Sequence, residues 1–261
     1  MNENVIRAGA GILAASVIAV SGRRLRALSR SGALASVAVG TAAIAAGWSW
    51  GIVLIAYFMA SSALSKVGER RKSRVIGAVV EKSGERDATQ VFANGGIYAF
   101  AAVAHIVSSA SIWYAIGTGA LAASAADTWA TELGTLSGRQ PISIATGQSV
   151  PAGTSGGITP LGLLASLIGA LFVAVVATLA GQPVPFTAVV LGGIAGAVSD
   201  SVLGATLQSR RWCDACASET ERVVHDCGNP TRHIGGIRGF DNDAVNLACS
   251  AVGALVTILL S

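Results

Sequence analysis

Apolar segments close to membrane-crossing length recur along the whole chain, at 5–20, 32–47, 48–64, 88–107, 112–133, 159–180, 184–207 and 243–260. No ordinary water-soluble core can bury that many, and runs of this length read as membrane-spanning helices. The expected fold class is all-α, a polytopic transmembrane helix bundle of about eight spans. Composition agrees, because 52% hydrophobic and 12% charged residues exclude an ordinary soluble domain. The 32 glycines lie mostly inside Ala/Val/Leu/Ile runs and aromatic residues make up only 5%. Helices of this kind approach one another through small residues rather than interlocking rings.

The net charge of +4 would suggest a nucleic-acid partner in a soluble domain, but here the basic residues are sorted by membrane side. If 32–64 were one helix, the basic segments 21–31 and 65–87 would lie on opposite faces. A hairpin near Gly47–Trp50 puts them on the same face. Arg23, Arg24, Arg26, Arg30, the Lys66–Arg86 cluster, Arg139, Arg210, Arg211, Arg222, Arg232 and Arg238 then share one side, seventeen of the eighteen basic residues, with only Arg7 outside. The positive-inside rule makes that side cytoplasmic and both termini external. The first segment lacks the basic stretch that precedes a cleaved signal, so it counts as a span. The expectation is a multi-pass cell-membrane protein with the lipid bilayer as partner and no nucleic acid. It forms one integral-membrane domain, 1–261, with 209–240 as a cytoplasmic loop insertion.

The acids follow the same sorting. Asp87, Asp127, Glu132, Asp200, Asp241 and Asp243 all fall at or near the cytoplasmic ends of apolar segments. Carboxylates at that depth face a bundle interior, a water-filled pocket, a cation or a basic partner; the plainer alternative is solvation of helix ends. Gly192, Gly196, Asp200 and Gly204 recur every four residues, as do Gly119, Ala123, Asp127 and Thr131. Each acid therefore sits on a closely packable stripe. Glu132 lies about 140° around the helix from Asp127, so both share a site only if the helix end unwinds. Asp87, Gln90 and Asn94 align on one face, as do Asn242 and Asn246; interhelical hydrogen bonding is the structural alternative for the asparagines.

Two glycine-bearing loops accompany these acids, Pro151-Ala-Gly-Thr-Ser-Gly-Gly-Ile-Thr159 and Arg232-His-Ile-Gly-Gly-Ile-Arg-Gly239. Neither is a Walker or Rossmann fingerprint, and glycine loops are more often turns. Beside clustered carboxylates they suit a magnesium-bound nucleotide, with backbone amides of Gly156 and Gly157 and the side chains of Thr154, Ser155, Arg232, His233 and Arg238 as phosphate donors.

The runs Asp127-Thr-Trp-Ala-Thr-Glu-Leu-Gly134, Val150-Pro-Ala-Gly-Thr-Ser-Gly-Gly-Ile-Thr159, Asp200-Ser-Val-Leu-Gly-Ala-Thr-Leu-Gln208 and Asp241-Asn-Asp-Ala-Val-Asn246, with Arg86-Asp-Ala-Thr-Gln-Val-Phe-Ala-Asn-Gly-Gly96, resemble the integral-membrane family that contains phytyl-phosphate kinases and transmembrane protein 19. The resemblance extends from about Ser29 to the C-terminus. It implies transfer of a phosphoryl group from a nucleoside triphosphate, CTP among the donors, to an isoprenoid monophosphate such as phytyl phosphate. Under it, Asp127, Asp200, Asp241 and Asp243 would coordinate Mg²⁺ with Glu132 behind them. Arg86, Arg232 and Arg238 would neutralise phosphates, while Gln90, Asn94, Asn242 and Asn246 position oxygens. Two other classes remain open: a transporter or ion channel using the same carboxylates, and a CDP-lipid-type cytidylyltransferase, which would also use Mg²⁺ and CTP.

The 209–240 insertion carries Cys213-x-x-Cys216 followed by His225-Asp226-Cys227. Three thiols and one imidazole could complete a tetrahedral zinc site; unmetallated interfacial cysteines are the alternative, and a cytoplasmic location disfavours a disulfide. The animal relatives implied by the resemblance do not need the cluster, which gives it a structural rather than catalytic role. Trp48, Trp50, Trp113 and Tyr114 are expected as interfacial anchors, and His105 and Cys249 as packing residues.

Overall fold

The computed structural model describes residues 3–76 and 84–261; Lys82, part of the basic 65–87 segment, lies outside them. Among the described residues the helices are α1 (Glu3–Arg24), α2 (Arg30–Ala46), α3 (Trp48–Lys66), α4 (Glu69–Ile76), α5 (Ala88–Ser108), α6 (Ile112–Gly134), α7 (Pro160–Leu179), α8 (Phe186–Thr206) and α9 (Asn242–Leu259). Each apolar segment becomes one helix, and α4 is a short charged addition. Six helices are long and apolar enough to cross a bilayer, and α2 is a shorter apolar helix. The long helix that falls below that apolarity is α6, for a physical reason. Its residues Ala115 and Gly117–Ala126 are buried, and α3, α5, α7, α8 and α9 all pack on it. A helix lined by protein on every side can be built from Gly, Ala, Ser and Thr.

Gly47 breaks the chain between α2 and α3 with a positive φ of 153°, a conformation that costs glycine little. The two helices form the expected hairpin, because the start of α2 and the end of α3 meet at one residue. The Arg86 carbonyl accepts from Ser29 N at 2.9 Å, while its guanidinium donates to Ser62 Oγ at 3.2 Å and Ser65 Oγ at 3.1 Å. Gly32 leaves room for that carbonyl, which a side chain there would strike. The helices entering from this basic end carry side-chain caps at Ser29, Asp87, Thr159 and Asp241. Those entering from the opposite end, α3, α6 and α8, have no side-chain cap bond. Capping oxygens thus concentrate where the polar chemistry lies. Asp87 is accounted for in this way, as one half of a capping box with Gln90.

Trp50 departs from the expectation of an interfacial anchor. It is fully buried, stacks on Tyr114 with ring centroids 4.8 Å apart, and its carbonyl accepts from the Tyr98 hydroxyl at 2.7 Å. It lies two residues after Trp48, about 200° around α3, so its ring turns inward while Trp48 at the helix start is exposed. His105 packs in the same aromatic cluster, as expected of a structural histidine.

Among the described residues, strands are confined to two loops. In the first, β1 (Ile142–Ser143) pairs antiparallel with β2 (Gly157–Ile158). The 209–240 insertion forms an antiparallel sheet from β3 (Arg210–Cys213), β4 (Ser218–Thr220) and β5 (Arg232–Gly235), in the order β4-β3-β5.

Candidate functional site

The site begins with two small residues. A side chain on Gly196 of α8 would collide with the Ala123 side chain of α6 and lie 2.8 Å from the Cys249 carbonyl of α9. These helices therefore touch backbone to backbone. Helices α6 and α8 run in the same direction, since α7 doubles back between them. Moving one turn toward the basic end from Ala123 and Gly196 reaches Asp127 and Asp200 together. Their half-buried carboxylates lie within hydrogen-bonding reach of each other, and Asp200 Oδ2 is buried without a hydrogen-bond partner. Two facing carboxylates at such depth call for a cation or a shared proton.

They form part of the wall of a polar cavity that opens to solvent. Arg86 enters it from the segment just before α5, Gln90 and Asn94 from α5, Glu132 from α6, Thr154, Ser155, Gly156 and Gly157 from the loop before α7, and Asn242 and Asn246 from α9. The acids on its wall are Asp127, Glu132, Asp200 and Glu221, against the bases Lys72, Arg86 and Arg139. Glu132 reaches the same cavity as Asp127 although α6 stays helical to Gly134. The cavity is wide enough that no unwinding is needed, which corrects the condition set from the sequence.

Asp241, Asp243, Arg232, His233 and Arg238 do not line this cavity. The Asp241 carboxylate caps α9 by accepting from Ala244 N at 3.0 Å. Asp243 lies three residues before Asn246, about 60° around that helix from it, with its Oδ1 buried. Arg232 is an exposed strand residue paired with Asp214 at 3.1 Å, and Arg238 is exposed beyond the sheet. The glycine loop before α7 also differs from expectation. Gly156, at φ 76°, presses against Ala205 and the Ser201 carbonyl of α8, and Gly157 against Pro141. Close packing accounts for both glycines, and the Thr154 and Gly157 amides are used within the loop.

Several residues at the site escaped the sequence reading. Lys72 of α4 is buried and pairs with Glu132, which also accepts from Ser65 Oγ; it donates to the Ser65 carbonyl at 2.8 Å as well. Its amphipathic helix was the available signal. Lys72→Met should cost about 2–3 kcal/mol in detergent unfolding, somewhat below a fully buried pair because the Glu132 side chain is 20% exposed. Lys72→Met combined with Glu132→Gln should recover most of that loss. Glu221 accepts from Ser155 Oγ at 2.5 Å, and Tyr57 hydrogen-bonds Thr128 beside Arg86 and Asp127; no local pattern marks either residue.

An apolar groove runs between α1, α2, α3 and α5, lined by residues such as Ile18, Val39, Leu54 and Phe58. It shares Arg86, Gln90 and Asn94 with the polar cavity. A greasy slot and a charged chamber thus meet at one guanidinium.

Apart from the cavity, the insertion gathers Cys213, Cys216, His225 and Cys227 into a group that could hold a metal. Hydrogen bonds from the side chain and backbone of Asn229, and from His225, lower the Cys227 thiol to about 6. Its hydrogen bond to Cys227 and the nearby Cys213 thiol raise Cys216 to about 11.

These features define a multi-pass integral membrane protein with an acid-walled chamber at its basic end, open to an apolar groove. Comparison with known proteins places it within that class. The chain belongs to the integral membrane protein family DUF92, whose model matches residues 13–254, so the kinship read from the motifs is borne out. It is 31% identical to Protein PGR of Arabidopsis thaliana over 279 residues, covering 96% of this chain and 94% of that protein. A membrane protein of Methanocaldococcus jannaschii is 28% identical over 262 residues, covering 99% and 96%. The chloroplastic Protein VTE6 of Arabidopsis thaliana is 27% identical over 241 residues, covering 89% of this chain and 65% of that protein. No solved structure matches the chain significantly.

Proposed function

We propose that the protein is a Mg²⁺-dependent phosphotransferase that moves the terminal phosphoryl group of a nucleoside triphosphate, CTP among the candidate donors, to an isoprenoid monophosphate such as phytyl phosphate. The observation that carries this reading is the junction at Arg86, Gln90 and Asn94, where a slot suited to a hydrocarbon tail opens into a chamber suited to phosphates and a metal. The family resemblance supports the same chemistry. The membrane unit is taken as 1–261, with 209–240 as its insertion and the basic end facing the cytoplasm of the cell membrane.

Asp127 and Asp200 fit Mg²⁺, because the buried Asp200 Oδ2 has no partner and Mg²⁺ prefers one or two carboxylates plus phosphate oxygens and water. The ion would supply charge neutralisation on the transferred group. Arg86 binds the acceptor phosphate at the mouth of the groove, and Arg139 balances charge from the exposed rim. Gln90, Asn94, Asn242, Asn246, Thr154 and Ser155 orient oxygens. An acceptor phosphate oxygen forms the new bond to the γ-phosphorus as the bond to the β–γ bridging oxygen breaks, and the nucleoside diphosphate leaves with that electron pair. The acceptor is already anionic, so no strong general base is needed. Asp241, Asp243, Arg232, His233 and Arg238 act at most from outside the chamber, and the Cys/His set takes no part in the transfer.

The test is a screen of purified protein with Mg²⁺, four nucleoside triphosphates and prenyl monophosphates of several lengths, with lipid products read by mass spectrometry. Nucleoside diphosphate plus prenyl diphosphate is expected. Pyrophosphate with a nucleotide-linked lipid would make it a cytidylyltransferase, and cation flux without turnover a transporter or channel. Arg86→Met should raise the acceptor KM roughly 10–150-fold, the loss of a charge-assisted bond worth about 1.5–3 kcal/mol, with a smaller change in the nucleotide KM.

A further inference from the structure

The 209–240 insertion has hydrogen bonds, such as those from Arg211 to Thr231, but almost no hydrophobic core. Its buried residues are Cys213, Thr220, His225 and Thr231, while Val223, Val224 and Ile237 are each more than half exposed. A sheet this small, with its apolar side chains outside, cannot repay the entropy of ordering by hydrophobic burial. Small scaffolds of this kind use a disulfide or a metal, and all four cysteines of the chain are unpaired.

The ligand atoms are already arranged. Two tight turns face each other. In one, Cys213 ends β3 and Cys216 lies in the turn that leads to β4. In the other, the Val224–Pro230 bridge closes a turn carrying His225 and Cys227, with His225 N donating to the Asn229 carbonyl at 3.0 Å. One donor atom from each residue lies within 4.8 Å of all the others. A tetrahedral zinc ion with Zn–S near 2.3 Å and Zn–N near 2.0–2.1 Å requires S···S edges of about 3.8 Å and S···N edges of about 3.6 Å. Cys213 and Cys227 sulfurs are 3.6 Å apart, and His225 Nδ1 lies 3.4 Å from Cys227 Sγ. His225 Nε2 is buried and has no hydrogen-bond partner in the protein.

We infer that Cys213, Cys216, His225 and Cys227 bind one Zn²⁺ in a closed structural site that folds the insertion against the polar cavity. Three thiolates and one imidazole in a tetrahedron favour zinc over the oxygen-preferring Mg²⁺. With all four positions filled by protein, the ion has no open site for chemistry. Its effect reaches the cavity through Glu221, which lies between β4 and His225 and accepts the Ser155 hydrogen bond. The metal therefore pins a wall residue from outside the chamber.

The full chain, purified in detergent without chelator or metal-affinity resin, should contain about one zinc per chain by elemental analysis. Co²⁺ exchanged into it should show the absorption of a tetrahedral thiolate site. Adding Zn²⁺ to reduced, metal-free protein should protect Cys216 and Cys227 from alkylation. Removing the metal should speed hydrogen exchange in 151–158 and expose 209–240 to protease while the helical signal stays constant. Cys213→Ser with Cys227→Ser should abolish binding. Failure of reduced protein to take up Zn²⁺, iron in place of zinc, or full zinc content in that double variant would overturn the inference. Because these readouts are independent of turnover, a silent phosphotransferase assay would leave them standing.

Discussion

Asp127→Asn and Asp200→Asn are each expected to lower nucleotide-dependent turnover by roughly 10²–10³-fold or more, the scale seen when one preorganised electrostatic contact to a reacting group is removed. Asparagine keeps the shape of aspartate, so the packing of α6 on α8 through Ala123 and Gly196 should survive. Stability gives a second readout with the opposite sign. Two carboxylates facing each other inside a bundle repel when no cation is bound. Without Mg²⁺, either variant should therefore unfold at the same temperature as the parent or higher. Millimolar Mg²⁺ should raise the parent's midpoint by linkage, because only the folded pair binds the ion, and this rise should disappear in both variants. Turnover equal to the parent in both variants would remove Asp127 and Asp200 from the mechanism. A Mg²⁺ effect on stability that persists in both would place the ion elsewhere.

What the sequence could reveal here was local periodicity. The four-residue recurrence of small residues before Asp127 and Asp200 is a property of one helix face. Because both stripes serve the same packing contact, reading each alone was enough to bring the acids together. The eight apolar segments and the hairpin at Gly47 were legible for similar reasons, one from continuous hydropathy and the other from the sidedness of charge. The Lys72–Glu132 pair and the Glu221–Ser155 bond join residues that are |i−j| 60 and 66 apart, and no spacing rule reports such partners. Phase near helix starts was the other weakness. Asp241 and Asp243 resemble ligands by residue type, yet one caps the helix and the other does not line the chamber. The glycine loop misled for a related reason. A glycine that clears space for a neighbouring helix and one that clears space for a phosphate look alike in sequence, and only the Ala205 and Ser201 contacts of Gly156 distinguish them.

Gly196→Val should be the most destabilising single substitution on the α6–α8 contact, by at least about 3 kcal/mol, at the upper end of the usual cost of overpacking. Its first added carbon already overlaps the Ala123 side chain and lies 2.8 Å from the Cys249 carbonyl. The neighbours on both sides are held by helix backbone, so neither can give way like the end of a flexible side chain. Gly9→Ala is the matched control, because nothing lies within 4 Å of the added carbon in α1. Helix propensity there should leave stability unchanged or raise it by up to about 1 kcal/mol. Monodispersity after heating in detergent reads both. Ala123→Gly should restore Gly196→Val only in part, because it removes the clash with α6 and leaves the one with the Cys249 carbonyl. Complete rescue would mean that α9 does not press on this contact. An undiminished midpoint in Gly196→Val alone would mean that α6 and α8 do not touch there, and the geometric reason for Asp127 and Asp200 facing each other would be lost.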